Sequence, residues 1–341
     1  MGGNGVAMHA ATAVELRDVS KRFCVRRPSR GGLAGRIRDF LAPQTHAVAA
    51  VDRLSFSIAA GERVAFIGPN GAGKSTTLKI LAGILQPDSG HVRVMGLDPT
   101  RERHRLAFHI GTVFGQRSQL WYQLPARDTF ALLARVYEID AREHRRRMEM
   151  LTAVFALEHL VDTPVRQLSL GERMRCEIAA SLLHAPRMLF LDEPTIGLDV
   201  AAKAAIRELL HTYSDRDGVT LLLTSHDTGD IERVCTRTIV INDGRLLWDG
   251  SIGDLRRRYA TARRVTLWTE AERLTIDLPG VRVVASTPYR TELEVAAQQT
   301  SLGEVVDAAM RQGAIRDIVV EDGPLDAVIR ALYATAEGRS R

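Results

Sequence analysis

The sequence predicts an α/β fold, with a core built on a mainly parallel sheet and a small second α/β domain after it in the chain. Apolar runs of strand length alternate with segments of helical periodicity, the pattern of a parallel sheet covered by helices. The predicted strands of this sheet lie at residues 63–67, 188–191, 219–223 and 238–241. A turn is predicted at Asn242, Asp243 and Gly244, and residues 128–160 are helical by periodicity. Residues 265–320 follow a different pattern, with short strands around one helix at 302–312, and a further helix follows at 325–333.

The composition is that of a soluble globular protein, with 45% hydrophobic and 26% charged residues among 341. The net charge of +5 suits nucleic acid, an anionic membrane face or a solvated surface. Aromatic residues make up only 5% and do not alternate with arginines, so we do not expect nucleic-acid binding. Cys24, Cys176 and Cys235 form no C-x-x-C pair, which favours a reducing cytoplasm. The chain carries neither a signal-peptide pattern nor a bilayer-length apolar run, so no membrane span is expected.

We expect three parts along the chain. Residues 1–12 are rich in small residues and are predicted to be a disordered N-terminus. Residues 13–260 form the main domain, and residues 261–341 form a small accessory domain. An arginine-rich insertion occupies residues 26–46, where a short amphipathic helix over 33–41 and a surface loop are both compatible with the pattern.

A phosphate-binding loop is predicted after the first strand of the sheet. The pattern G-x-x-x-x-G-K-[ST] is matched by Gly68, Pro69, Asn70, Gly71, Ala72, Gly73, Lys74, Ser75 and Thr76. Glycines let successive backbone N–H groups point at an anion where a helix begins. Lys74 supplies a positive charge for nucleotide phosphates, and the Ser75 hydroxyl suits Mg²⁺. A chance match in a chain of this length is on the order of one per cent, so an ordinary glycine turn is a poor alternative.

Two carboxylates follow the apolar strand at 188–191. Asp192, at the end of that strand, is placed to hold Mg²⁺, and Glu193 is placed to orient and polarise an attacking water. Acidic pairs also occur in strand-to-loop turns that have no function. The phosphate-binding loop in the same chain favours the catalytic interpretation.

Between these two motifs the chain reads Leu168-Ser169-Leu170-Gly171-Glu172-Arg173. This segment resembles the signature of ABC ATPases, whose usual form is L-S-G-G-Q, so that Leu170 and Glu172 are departures from it. By itself the segment is a good helix N-cap, with Ser169 as the capping residue. In the family, the surface formed by Ser169, Gly171 and Glu172 binds the ATP that is held by a partner subunit. The resemblance implies a P-loop NTPase core of the ABC type, with an antiparallel β subdomain and a helical subdomain.

Further landmarks of the family occur in the expected order. Gln116 matches the glutamine that contacts Mg²⁺ and reports to the membrane subunit, with Gln119 as a weaker candidate because the spacing carries an extra residue. Asp199 matches the aspartate of a loop that crosses the dimer interface. His226 ends a strand on the same edge as Asp192 and resembles the histidine that contacts the γ-phosphate and the attacking water. Alone, a histidine at such a place is usually structural.

Adenine in this family stacks on an aromatic residue shortly after the first strand, and Phe23 matches that place. His46 is the alternative, and a core position for Phe23 is also open. The resemblance covers residues 14–259, about one nucleotide-binding domain. Residues 114–125 and the tail from 315 to 333 resemble the ATPases of drug and polysaccharide exporters.

The resemblance implies an ATPase that uses ATP and Mg²⁺ and powers export through separate membrane-spanning permease subunits. Each ATP is expected to lie between two ATPase subunits, and the second is either another copy of this chain or a different ATPase subunit. The protein is then expected in the cytoplasm, held at the inner face of the cell membrane by its permease. Its accessory domain is expected to stabilise or regulate the dimer.

Three other functions agree less well with the sequence. An ABC protein that acts on ribosomes or DNA usually carries two nucleotide domains or a long coiled coil, and this chain has one phosphate-binding loop and no sustained heptads. A P-loop kinase of small molecules has no use for the segment 168–173 or for His226. An ABC importer stays open, although the tail and the segment 114–125 favour export.

Overall fold

The computed structural model describes residues 12–26, 45–115, 118–259, 262–296, 299–323 and 325–339. Several sequence-based expectations therefore lie outside the described residues. They concern the N-terminus, the arginine-rich insertion with its predicted helix, the side chain of His46, and Gln116. The chain divides into two compact units, Met1–Asp249 and Gly250–Arg341.

The first unit holds two sheets. Its strands are β1 (Thr12–Arg26), β2 (Thr45–Ala59), β3 (Arg63–Ile67), β4 (Ser89–Val94), β5 (Ile110–Phe114), β6 (Met188–Asp192), β7 (Thr220–Thr224), β8 (Arg237–Asn242) and β9 (Arg245–Ser251). The larger sheet has the order β5-β6-β7-β3-β8-β9, and its first five strands run parallel. The predicted turn at Asp243 and Gly244, both with positive φ, leads into β9 at its edge.

The smaller sheet is antiparallel, with the order β2-β1-β4. One buried cluster joins it to the larger sheet, with Leu16 and Ile58 from the small sheet beside Phe66 and Phe190 from the large one. The rings of Phe56 and Phe66 lie 5.7 Å apart between the two sheets. Strands of the parallel sheet are buried on both faces, which explains why they are apolar runs rather than alternating sequences.

Helices connect these strands. They are α1 (Lys74–Leu81), α2 (Arg103–Ala107), α3 (Ala126–Val136), α4 (Ala141–Phe155), α5 (Leu170–Leu182), α6 (Val200–Asp217) and α7 (Thr228–Val234), with a 3₁₀ turn at Val165–Gln167. The predicted helical stretch over residues 128–160 is interrupted. Glu138 has a positive φ, and the Asp140 carboxylate then caps α4 by accepting from the backbone N–H groups of Arg142 and Glu143.

The second unit is an α/β structure with its own core. It contains α8 (Ile252–Tyr259), β10 (Ala262–Thr269), β11 (Val281–Thr287), β12 (Arg290–Ala296), α9 (Leu302–Met310), β13 (Ile315–Asp322) and α10 (Leu325–Arg339). The four strands form an antiparallel sheet in the order β11-β12-β10-β13, and α9 covers Leu267 and Leu293 with Val305. The boundary between the units lies ahead of the predicted position at residue 260, because α8 packs against α10.

In the part of the chain that the structure describes, no helix combines the length and the apolar character needed to cross a bilayer.

Candidate functional site

The predicted phosphate-binding loop lies between β3 and α1. Gly73 takes a φ of 100°, and a Cβ atom built there would lie 2.1 Å from the carbonyl oxygen of Ala50, so only glycine fits this turn. Lys74 is buried, with 6% of its surface exposed, and its Nζ donates to the carbonyl oxygens of Gly68 at 2.6 Å and Pro69 at 3.3 Å. The ammonium group is thereby held over the loop at the start of a helix, where an anion binds best.

Three side chains that the sequence predicts to be functional meet at one edge of the parallel sheet. Nε2 of His226 lies 2.9 Å from Oε1 of Glu193 and 3.2 Å from Nζ of Lys74. The three residues follow β7, β6 and β3, which are neighbours in the sheet and run in the same direction. Their carboxyl ends therefore open onto one crevice, the usual place of a ligand site in such sheets.

The charges at this edge are coupled. Burial lowers the pKa of the Lys74 ammonium, while the nearby carboxylates of Glu193 and Asp192 raise it in opposition. The ammonium is thus a partly desolvated cation with two acids nearby. Such a group can exchange its carbonyl partners for phosphate oxygens.

Backbone geometry fixes the two acids. Glu193 has a φ of 54°, uncommon for a residue with a side chain, and its N–H donates to the carbonyl oxygen of Thr224 at 3.0 Å. The Thr224 hydroxyl donates to Oδ1 of Asp192 at 2.7 Å. Thr224 thus holds both the carboxylate of Asp192 and the backbone of Glu193. The sequence did not single out Thr224, since the two strands that it joins are separated by 32 positions.

The segment 168–173 begins α5 as predicted. Ser169 caps the helix, with Oγ accepting from the Glu172 N–H at 3.3 Å, and the Glu172 carboxylate accepts from the Ser169 N–H at 2.8 Å. That bond lowers the pKa of the Glu172 carboxyl. The predicted contact residue Glu172 therefore has its carboxylate engaged within the cap.

A cavity of about 470 Å³ lies beside this cap, between the starts of α5 and α6. It is lined by Ser169, Gly171 and Glu172 on one side and by Gly197 and Asp199 on the other. No lining residue belongs to the phosphate-binding loop of the same chain. The structure thus places the predicted ATP contacts in two separate groups.

Asp199 caps the second of these helices. Its carboxylate accepts from the Ala202 N–H at 2.8 Å, and the preceding loop exposes Ile196 while Gly197 takes a φ of 74°.

Phe23 lies on β1 with 37% of its surface exposed, and Nζ of Lys21 is 5.8 Å from its ring centroid. An exposed ring of this kind is available for stacking and is no part of the buried core.

Comparison with known proteins identifies the family. Residues 51–196 match the family described as ABC transporter. The chain is 32% identical over 284 residues to the daunorubicin resistance ATP-binding protein DrrA3 of Streptomyces coeruleorubidus, covering 79% of this chain and 89% of that protein. This chain belongs to the ATP-binding proteins of ABC transporters.

Two further similarities support this ABC ATPase assignment. The chain is 38% identical over 248 residues to the Nod factor export ATP-binding protein I of Ralstonia nicotianae, covering 73% of this chain and 74% of that protein. A solved dimer of the ATP-binding cassette MJ0796, in a post-hydrolysis state with ADP and phosphate, matches with a TM-score of 0.57 and 26% identity. It covers 70% of this chain and 98% of that one. The predicted ABC-type fold is confirmed, and the protein binds and hydrolyses ATP.

One feature near the site of this ABC ATPase, the buried Glu177, was not predicted from the sequence. Glu177 on α5 is buried, and it accepts from the Ser118 hydroxyl and, at 3.2 Å, from the Gln119 N–H. The Gln119 amide donates in turn to the Glu177 carbonyl oxygen at 3.0 Å. Burial raises the pKa of the Glu177 carboxyl. The weaker candidate Gln119 therefore anchors the loop that follows Gln116. The signal in the sequence that could have indicated this contact is an acid inside the apolar stretch of α5.

Proposed function

We propose that this ABC ATPase powers export through separate membrane-spanning subunits, by binding two ATP molecules between two ATPase subunits. The observation that carries the proposal is the meeting of Lys74, Glu193 and His226 at one sheet edge, within hydrogen-bond distance. The cap at Ser169 lies with a different group of residues and lines a cavity of its own. A site divided in this way suits assembly from two chains.

The phosphate-binding loop and Lys74 would hold the β- and γ-phosphates. Magnesium would be held by the hydroxyl of Ser75, the carboxylate of Asp192 and the amide oxygen of Gln116. The described residues contain no cluster of three or more metal-binding side chains of His, Cys, Asp or Glu. One hydroxyl and one carboxylate beside the phosphate-binding loop fit Mg²⁺, which is usually bound by one or two carboxylates together with substrate phosphates and water. When bound, the metal would neutralise charge on the phosphates.

Glu193 would accept a hydrogen bond from the attacking water and polarise it. His226, 2.9 Å from Glu193, would orient that carboxylate and contact the γ-phosphate. The uncommon backbone conformation of Glu193 would fix the position of its side chain at this edge of the sheet. Phe23, exposed at the end of the small sheet, would stack on adenine.

A second copy of the chain would complete each site. Its Ser169 hydroxyl and Gly171 N–H, at the start of α5, would bind the γ-phosphate, because free N–H groups and the helix dipole favour an anion there. Asp199 would cross the interface from the neighbouring cap. ATP would thus close the dimer, and loss of the γ-phosphate would reopen it, a population shift driven by ligand.

The membrane partner would dock near the segment that follows Gln116. Trp121, Tyr122 and Leu124 are exposed together there, an apolar surface that is unusual for a chain without a partner. This location would place the protein at the inner face of the membrane. Two relatives are named for drug resistance and for Nod factor export, and these names favour export over import.

The test is Mg²⁺-dependent ATP hydrolysis by the wild type and by Glu193→Gln, with oligomeric state followed by light scattering. We expect the variant to lose hydrolysis by at least about 100-fold while it accumulates as an ATP-bound dimer. Glu208→Gln is the matched control, since Glu208 is an exposed acid paired with Arg233; it should hydrolyse ATP normally. Equal hydrolysis by wild type and Glu193→Gln, with no dimer in either, would contradict the proposal.

A further inference from the structure

Asp230 is a buried acid next to the hydrolytic residues. It lies in the first turn of α7, with 1% of its surface exposed. Its carboxylate accepts three hydrogen bonds through side chains: from the Thr195 hydroxyl, from the Ser225 hydroxyl at 2.5 Å, and from Nε of Arg207 at 2.6 Å. A buried carboxylate is stable only with such partners, so its position is firmly determined.

Each hydroxyl that binds Asp230 belongs to a loop with a hydrolytic residue. Ser225 immediately precedes His226, and Thr195 follows Glu193 by two positions. The two loops leave different strands, β7 and β6, and Asp230 joins them through a single oxygen, Oδ2. A shift of this carboxylate would therefore move both loops together.

The third partner comes from the helix that Asp199 caps. Arg207 on α6 also pairs with Asp227, at 2.8 Å, so two carboxylates hold its guanidinium. The backbone of Gly229 lies against this group, since a Cβ atom built there would be 2.7 Å from Nη1 of Arg207. The close approach fixes α6 to the start of α7.

We propose that Asp230 is a positioning residue for ATP hydrolysis, holding the loops of Glu193 and His226 in register with each other and with α6. The inference rests on the proposed roles of Glu193 and His226. Through Arg207, any displacement of α6 that accompanies dimer closure reaches the hydrolytic pair. Asp230 is 1% exposed, so it would act through these loops rather than on ATP itself.

Asp230→Asn tests this role with little change of shape. Asparagine keeps one acceptor oxygen, but its NH₂ group must then face either Arg207 or the two hydroxyls, which are donors already. We expect kcat for ATP to fall about tenfold to a hundredfold, because small misplacements of catalytic groups have effects of that size. The Kd for ATP should stay within about twofold of wild type, since the phosphate-binding loop is on another element. The measurements are steady-state hydrolysis and binding of a fluorescent ATP analogue by the full chain.

Asp227→Asn is the matched control. It removes the same charge from the same arginine on the same helix, and asparagine can still cap α7 by accepting from the Gly229 N–H. Asp227 has no bond to Thr195, so kcat should stay within about twofold of wild type. An equal loss of kcat in both variants would mean that charge near Arg207 matters and the link to the loops does not, which overturns the proposal.

Thr195→Val is a milder variant that keeps the proposal testable if Asp230→Asn does not fold. It removes one hydroxyl bond and preserves shape, and we expect a threefold to tenfold loss of kcat with an unchanged Kd. In the double variant the loss should be no larger than in Asp230→Asn alone, because Thr195 acts through Asp230. Wild-type kcat in Thr195→Val would overturn the proposal. Glu193→Gln, measured in parallel, distinguishes failure of the Asp230 proposal from failure of the proposed function. If Glu193→Gln still hydrolyses ATP, the proposed function itself is wrong.

Discussion

The tetrapeptide Ser-Leu-Gly-Glu occurs in both units of this chain, at residues 169–172 and 301–304. Both copies begin a helix with the same reciprocal cap. The serine N–H donates to the glutamate carboxylate at 2.8 Å in the first copy and at 2.7 Å in the second, and the return bond is 3.3 Å in each. Four residues are enough to determine this local structure, because all partners lie within one turn.

The surroundings of the two copies differ. A Cβ atom built at Gly171 would lie 2.8 Å from Cβ of Ala202 on α6, whereas one built at Gly303 would meet nothing nearer than Oγ of Ser301 at 3.9 Å. Leu170 is exposed, while Leu302 packs on the core of the second unit. The first copy also borders the cavity shared with Asp199. A shared sequence thus yields one candidate nucleotide contact and one ordinary helix start.

The largest expected difference between the copies is catalytic. Ser169→Ala and Ser301→Ala each remove a capping bond and should each lower stability by about 1 kcal/mol. Only Ser169→Ala should also lower kcat for ATP, by about 100-fold, because it removes a donor to the partner's phosphate. Steady-state hydrolysis and thermal unfolding of both variants check this. Equal kcat values in the two variants would remove the distinction between the copies.

A smaller difference is expected at the glycines. Gly171→Ala forces α5 and α6 apart, so it should cost about 1 kcal/mol of stability despite the better helix propensity of alanine. Gly303→Ala has free space and should stabilise by about 0.5 kcal/mol. Urea unfolding of each variant gives the sign of its change in the free energy of unfolding. Stabilisation by Gly171→Ala would show that the close approach of the two helices is not required.

The smallest effect should be equal in the two copies. The serine N–H lowers the pKa of Glu172 and of Glu304 below the ordinary value of 4.5. Each carboxylate therefore contributes stability that is present above about pH 4.5 and is lost as the pH falls below it. Glu172→Gln and Glu304→Gln should each flatten the dependence of Tm on pH between 3 and 6. A flattening at one position alone would show that the caps differ after all.

Much of the fold followed from sequence because its signals are local. The phosphate-binding loop, the turn at Asp243 and Gly244, and the apolar strands all depend on residues within a few positions of each other. The placement of Asp192 and His226 on one edge also followed, since parallel strands put their carboxyl ends together. The position of the unit boundary did not follow, because α8 belongs by sequence to either side and only its packing on α10 assigns it.

The remaining features of the candidate site depend on distant pairs. Thr224 binds Asp192 across 32 positions, and Glu177 binds Ser118 across 59. Asp230 joins Thr195 and Arg207 across 35 and 23 positions. Except for Glu177, an acid among apolar residues of α5, nothing in the neighbouring sequence marks these residues.

The sequence by itself determined where α1 and α5 begin, where the phosphates of ATP are expected and which acids follow the buried strand, because bonds within one turn or loop depend on adjacent residues. Only the tertiary structure decided which of two identical tetrapeptides stands beside Asp199, and that Glu193, His226 and Lys74 meet. The physical reason is the strand order β6-β7-β3, which brings together residues from the middle, the end and the beginning of the first unit. The strand order depends on burial of the apolar surface of the whole sheet, so it cannot be determined from any single segment.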